Sequence, residues 1–137
     1  MAVSIRPLQA DEQQQYPIFL KEEYMHLKGL IAAPFTAMKA DRSVNLDIIE
    51  KQAALYAANG VAGVFVCGTT GEGLSLTVQE RLDIAEVWCK IAPRELKVIV
   101  HVGENSVDAC KQMAAQAQRS GAYAVGAMAP NFFRPTT

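Results

Sequence analysis

Two rhythms of apolar and polar residues run along the chain. "LKGLIAAPF" from Leu27, "GVFVC" from Gly63, "KVIVHVG" from Lys97 and "AYAVGAMAP" from Ala122 are short, largely apolar runs and are expected to be strands. Between them lie three stretches of helical period. In "NLDIIEKQAALYAANG" residues Leu46, Ile49, Ala53 and Tyr56 share one face, with Asn45 as the expected N-cap and Gly60 as the stop. "TVQERLDIAEVWCKIA" opens with Thr77 and Glu80 at capping-box spacing, turns Leu82, Ala85, Val87 and Trp88 inward, and is followed by Pro93. "SVDACKQMAAQAQRSG" starts at Ser106 and ends at Gly121. Residues 1–26 show no period and contain Gln13, Gln14 and Gln15 in succession, so they are expected to be a leader or flexible tail ahead of a domain over 27–137.

The predicted order is strand, helix, strand, helix, strand, helix, strand, an α/β chain. The strands are apolar throughout, as strands covered on both faces must be. Leu30, Val64, Val98 and Val125 hold comparable strand positions 34, 34 and 27 residues apart, a repeated βα module that fits a doubly wound sheet or a (β/α)8 barrel. A nucleotide-binding doubly wound sheet would favour a glycine fingerprint after its first strand. Here "APFTAMKADRS" follows the first strand and the glycines follow the second, which favours the barrel. A full barrel takes eight strands and roughly 250 residues. Four strands in 137 residues are therefore expected to be the first half of a barrel, with two unpaired sheet edges.

Composition narrows the function classes. The net charge of -1, with half the residues hydrophobic and a fifth charged, gives no electrostatic reason for a nucleic-acid or membrane partner. A cytoplasmic protein is the expectation, because the N-terminus lacks a basic start followed by an apolar stretch. Cys67, Cys89 and Cys110 lie in apolar elements without CxxC spacing and are expected to be buried free thiols. The two histidines, His26 and His101, do not make a ligand cluster, so no metal and no cofactor are expected. His101, at the end of the third strand, reads as a packed or hydrogen-bonded residue.

The candidate chemistry is in "VFVCGTTGEGLSL", residues 64–76. A strand passes at once into Gly68, Thr69, Thr70, Gly71 and Glu72. Glycines let the backbone turn tightly and present its amides, and the two threonine hydroxyls add donors. Such a turn at a barrel strand's C-terminal end can hold a carboxylate. A βα loop whose threonines cap local backbone is the equally open alternative.

"GTTGEGLSLT", with "LKGLIAAPFTAM" before it and "HVGENS" and "MAPNFFRP" after it, resembles the N-acetylneuraminate lyase and dihydrodipicolinate synthase family from Leu27 to the end. The resemblance implies a (β/α)8 barrel with a helical C-terminal extension and a Schiff base between a lysine and the ketone of pyruvate or a pyruvate-bearing substrate. It also implies that Thr69 and Thr70 bind the substrate carboxylate, Thr69 lying near a catalytic tyrosine. Gly68 and Gly71 are then backbone requirements, and Glu72 has no chemical role. "HVGENS" and "GTTGEGLSL" are similar to the lyase branch. Pro130, Asn131, Phe132, Phe133, Arg134 and Pro135 stand where synthases carry Pro-Tyr-Tyr-Asn-Lys-Pro, and phenylalanine cannot relay a proton. The implied reaction is reversible aldol cleavage of N-acetylneuraminate to N-acetylmannosamine and pyruvate. A synthase, another pyruvate-dependent aldolase, or a non-catalytic short half-barrel serving assembly are the alternatives. In the family the lysine comes from the sixth strand and the tyrosine from the fifth. The catalytic residues are accordingly expected beyond this chain, which alone is expected to be inactive, and the full-length protein is expected to be a homotetramer. Lys28 and Lys97 begin their strands at the opposite end from the turn, Lys51, Lys90 and Lys111 fall on helices, and Lys39 lies among polar residues. Met25, preceded by Lys21-Glu22-Glu23-Tyr24, can be back-translated to follow a purine-rich ribosome-binding sequence, and is an expected true start.

Overall fold

A computed structural model describes residues 27–130. The expectations for the leader, for Met25 and for Phe132 and Phe133 lie outside the described residues. The elements are β1 (Ile31–Ala32), α1 (Ile48–Ala58), β2 (Gly63–Val66), α2 (Val78–Ile91), β3 (Lys97–His101), α3 (Val107–Arg119) and β4 (Ala124–Gly126), with a 3-10 turn at Gly73–Ser75. The strands form one sheet in the order β1-β2-β3-β4, every pair parallel. Sequential order with parallel crossovers is a singly wound sheet. It has none of the strand-order reversal of a doubly wound fold, and right-handed crossovers then put all the helices on one face.

That face holds the core. Val64 and Val66 of β2 are fully buried, and Val98 and Val100 of β3 nearly so. They pack with Ile49 and Ala53 of α1, Leu82, Ala85 and Trp88 of α2, and Met113 and Ala117 of α3. Each large apolar side chain so buried stabilises the fold by about 1.5–3 kcal/mol. Phe65 and Ile99, on the other face, are only half-buried. Among the described residues the sheet is thus covered on one side, although its sequence reads as covered on both.

Helix α2 forms as the capping signal predicts. Thr77 Oγ1 accepts from the Glu80 amide, and the Thr77 amide donates to the Glu80 carboxylate at 2.8 Å. Leu82, Ala85 and Trp88 are buried, whereas Val87 is half-buried and Ile84 takes the inward place beside Ala85. In α3, Ser106 Oγ accepts from the Ala109 amide, and Gly121 leaves the helix at φ +82°.

Three expectations need correction. Asn45 does not cap α1, which begins at Ile48 with Asp47 at the N-cap and no side-chain cap bond. The Asn45 amide instead donates to the Ala37 carbonyl across a short bridge between Met38 and Val44, so the loop's own pairing delays the helix. The expected first strand shrinks to two residues. Gly29, at φ +109° and with the Ala62 Cβ 2.7 Å from where its own would stand, interrupts the extended run. All three cysteines are free thiols, but only Cys67 is buried; Cys89 and Cys110 are half-exposed. No described helix is long and apolar enough to cross a membrane.

Candidate functional site

The loops that leave the C-terminal ends of β2, β3 and β4 meet on one side of the sheet. Cys67, the residue after β2, is held at φ 56°, and Glu72 at φ 53°. Both are in the left-handed region that side chains other than glycine adopt at a cost of about 1 kcal/mol or more. Between these two bends the turn is closed by the Glu72 amide on the Thr69 carbonyl at 3.0 Å and the Gly73 amide on the Gly68 carbonyl at 3.1 Å. Thr36, from the β1–α1 loop, fixes it from outside by donating to the Gly71 carbonyl at 2.7 Å. The glycines answer close approaches. A Cβ on Gly71 would lie 3.1 Å from the Pro34 carbonyl oxygen, and one on Gly73 would overlap the Cys67 carbonyl oxygen. The amides of Thr69, Thr70 and Gly71 donate to no backbone carbonyl among the described residues. Successive amides left free in a turn are groups that can hold an anion.

Beside the turn is a cavity of about 190 Å³, lined by Gly68, Thr69, Glu72, Leu74, His101 and Met128 among others. Of the two threonines singled out from sequence, Thr69 borders this cavity, whereas Thr70 stands exposed on the turn outside it. Among the described residues neither lysine nor tyrosine lines it. Lys97 begins β3 at the opposite end of the sheet, where its Nζ donates to the Arg94 carbonyl and sits 5.7 Å from the Tyr123 ring centre. Lys39 is exposed. Among the described residues no group of three His, Cys, Asp or Glu could hold a metal ion. Burial pushes the Cys67 thiol up to about 11 against the opposing pull of Arg81, so it remains protonated at neutral pH.

Beneath the cavity lies a polar cluster built on Arg81, which is 1% exposed. Its guanidinium donates to the carbonyls of His101 at 2.8 Å and Gly103 at 3.1 Å, meets His101 Nδ1 at 3.3 Å, and pairs with Glu104 at 3.3 Å. The Phe65 ring packs edge-on against His101. Arg81 thus ties the first turn of α2 to the β3–α3 loop. The sequence reading passed over it because a charged residue in a helix is ordinarily solvated. Its position held the signal: Arg81, Ile84, Ala85 and Trp88 follow the i, i+3, i+4, i+7 spacing of the buried face.

Burial first, and the Arg81 charge second, hold the His101 imidazole below its ordinary value; the Cys67 carbonyl and Glu104 pull weakly the other way. The unfolded chain takes up this proton more readily than the folded one. The resulting stability is present above about pH 6.5 and is lost as pH falls through the lowered value. Between about pH 7.5 and 5.5, where free carboxylates scarcely titrate, wild type should therefore lose stability relative to His101→Phe. Parallel urea midpoints for the two proteins across that range would contradict this.

A model of the dihydrodipicolinate synthetase family matches residues 26–137. The N-acetylneuraminate lyase of Xenopus tropicalis is 44% identical over 113 residues, which are 81% of this chain and 37% of that protein. The structure of Proteus mirabilis N-acetylneuraminate lyase matches with a TM-score of 0.77 at 40% identity, over 81% of this chain and 38% of that one. Dihydrodipicolinate synthase from Aquifex aeolicus matches at 0.75 and 30% identity, over 80% of this chain and 37% of that one. These relatives are (β/α)8 barrels, and the four strands and three helices here correspond to part of one. The chain spans less than two fifths of the length of these relatives.

Proposed function

Because the chain belongs to the dihydrodipicolinate synthetase family, we propose that it forms the carboxylate-binding part of a pyruvate-dependent aldolase that cleaves N-acetylneuraminate to N-acetylmannosamine and pyruvate. The observation that carries this reading is the turn after β2. It offers three consecutive free amides, and one of the three residues, Thr69, borders a cavity. Thr69 and Thr70 are the proposed ligands of the 2-oxo acid carboxylate. Anchoring that group fixes the adjacent ketone in front of an attacking amine, and such positioning can contribute about 7 kcal/mol or more to the reaction. The amine must be neutral to attack, which requires a lysine whose surroundings lower its pKa. No lysine among the described residues lines this cavity. The proposal therefore takes the Schiff-base lysine, the tyrosine and the sugar-binding residues from outside the described residues.

The lyase reading is favoured over the synthase by the 44% identity to a lyase and by His101-Val102-Gly103-Glu104 at the end of β3. The test is a side-by-side assay of the protein at its natural length. Pyruvate release from N-acetylneuraminate is expected, with little condensation of pyruvate with aspartate semialdehyde. The reverse preference would place it with the synthases. Neither activity, together with no adduct after pyruvate and borohydride, would leave the non-catalytic reading.

A further inference from the structure

The peptide between Gly71 and Glu72 is tied at both ends. Its N–H, from Glu72, donates to the Thr69 carbonyl at 3.0 Å and closes the turn from within. Its carbonyl, from Gly71, accepts the Thr36 hydroxyl at 2.7 Å, from a residue 35 positions earlier in the chain. In a trans peptide the two groups point opposite ways along one plane, so the two bonds together fix how that plane is turned. Gly71 is required here for closeness and not for freedom. Its φ is not positive, so this is not the type II turn that demands a glycine at its third residue. A Cβ at Gly71 would instead stand 3.1 Å from the Pro34 carbonyl oxygen and 3.3 Å from the Cys67 nitrogen. The β1–α1 loop is packed directly on the turn. That loop is anchored on its other side by Gln52 of α1, a side chain only 8% exposed, whose Nε2 donates to the Phe35 carbonyl at 3.1 Å. Residues 34–36 are therefore a bracket: Gln52 holds the Phe35 carbonyl, and Thr36, the next residue, holds the Gly71 carbonyl. Neither Thr36 nor Gln52 borders the cavity that Thr69 borders, so any effect of theirs on a ligand there has to pass through the turn.

We propose that Thr36 is a positioning residue of the carboxylate site, its hydroxyl setting the peptide that closes the turn, and that Gln52 holds Thr36 in place. The inference rests on the reading of the turn as a 2-oxo acid site. The Thr69, Thr70 and Gly71 amides donate to no backbone carbonyl among the described residues, so no bond of their own fixes their direction. They are held only through the neighbouring peptides, and the Gly71–Glu72 peptide is the one tied to the rest of the fold by a side chain. Donors ordered before the ligand arrives bind it without the cost of ordering them at that moment. Thr36 supplies that order from β1, the strand next to the one that carries the turn.

The experiment uses the protein at its natural length, with pyruvate as the probe and its dissociation constant as the primary readout. Thr36→Val keeps the shape of the side chain and removes the hydroxyl; affinity should fall about 5-fold, or about 1 kcal/mol at about 1.4 kcal/mol per tenfold. Thr36→Ser restores the hydroxyl without the methyl group and should bind nearly as wild type does. Hydrogen exchange at the Glu72 amide should quicken in Thr36→Val and stay unchanged along β2 and β3. Gln52→Met fills similar volume without a donor and should lose less affinity than Thr36→Val. It also carries the test if Thr36→Val does not fold. The double variant should bind no more weakly than Thr36→Val alone, because Gln52 acts through Thr36; losses that simply add would remove Gln52 from the proposal. A bond that only holds the fold predicts lower stability with unchanged pyruvate affinity, and that result would overturn the proposal, as would Thr36→Ser binding as weakly as Thr36→Val. If Thr69→Ala abolishes binding while Thr36→Val binds as wild type does, this inference falls and the turn reading stands. If wild type does not bind pyruvate, both fall.

Discussion

Thr69→Ala should weaken pyruvate binding and lower kcat/KM for N-acetylneuraminate by about 10- to 100-fold in the protein at its natural length. A hydrogen bond to a carboxylate contributes about 1.5–3 kcal/mol, and its loss also loosens the ketone against the amine. Thr69 is exposed and makes no side-chain hydrogen bond within the described fold other than what its turn supplies through the backbone. Its truncation should therefore change stability by no more than about 0.5 kcal/mol. That separates a binding role from the alternative of a local backbone cap, which would lose stability and leave affinity untouched. Thr69→Ser keeps the hydroxyl and should retain most of the activity. Thr70→Ala should cost less than Thr69→Ala, because Thr70 stands outside the cavity that Thr69 borders. Steady-state kinetics for Thr69→Ala equal to those of wild type would remove the carboxylate assignment.

Local signals and long-range ones were unequally legible in the sequence. The capping box at Thr77 and Glu80, the Ser106 cap and the glycine exits at Gly60 and Gly121 are written within a few residues of where they act, and the structure has each of them. Module spacing implied parallel strands, and the glycines after the second strand rather than the first favoured the sequential order that the sheet has. Asn45 was misread because its amide is claimed by Ala37, eight residues upstream, a pairing that only the folded β1–α1 loop creates. Gly29 shortens β1 because of Ala62, a neighbour supplied by the chain 33 residues later. The turn at Gly68–Gly73 could be read as an anion site, yet which threonine meets the cavity depends on how His101 and Met128 close it from β3 and beyond β4. Arg81 was the largest omission. Its periodic position marked it as inward, but its partners Glu104, His101 and Gly103 lie 20 or more residues away, and nothing local announces them.

Arg81→Met should destabilise the protein by about 3 kcal/mol, the largest stability effect expected of any single polar substitution here. Methionine fills much of the stem's volume, so the loss isolates the guanidinium. Removing it strands the His101 and Gly103 carbonyls, which accept from it in the core, and each buried acceptor left unpaired costs about 1–3 kcal/mol. It also leaves Glu104 Oε2 without its cation, while Oε1 keeps the Asn105 amide. Breaking a buried ion pair from one side costs about 3–5 kcal/mol. The Glu104 side chain is 24% exposed, so water recovers part of its solvation and the lower end of that range applies. Arg81 does have one unmet need, since its Nε is buried without a partner, and relief of that atom offsets a little of the loss. Arg81→Lys should fall between the two proteins: the charge still faces Glu104, but one ammonium cannot reach two carbonyls and a carboxylate in the geometry of a planar fork. Glu104→Gln should cost less than Arg81→Met, because the carbonyl bonds survive it. Urea denaturation of wild type, Arg81→Met, Arg81→Lys and Glu104→Gln gives the ranking. An Arg81→Met midpoint close to that of wild type would mean that water replaces the guanidinium at the end of β3, and that Arg81 does not hold the β3–α3 loop.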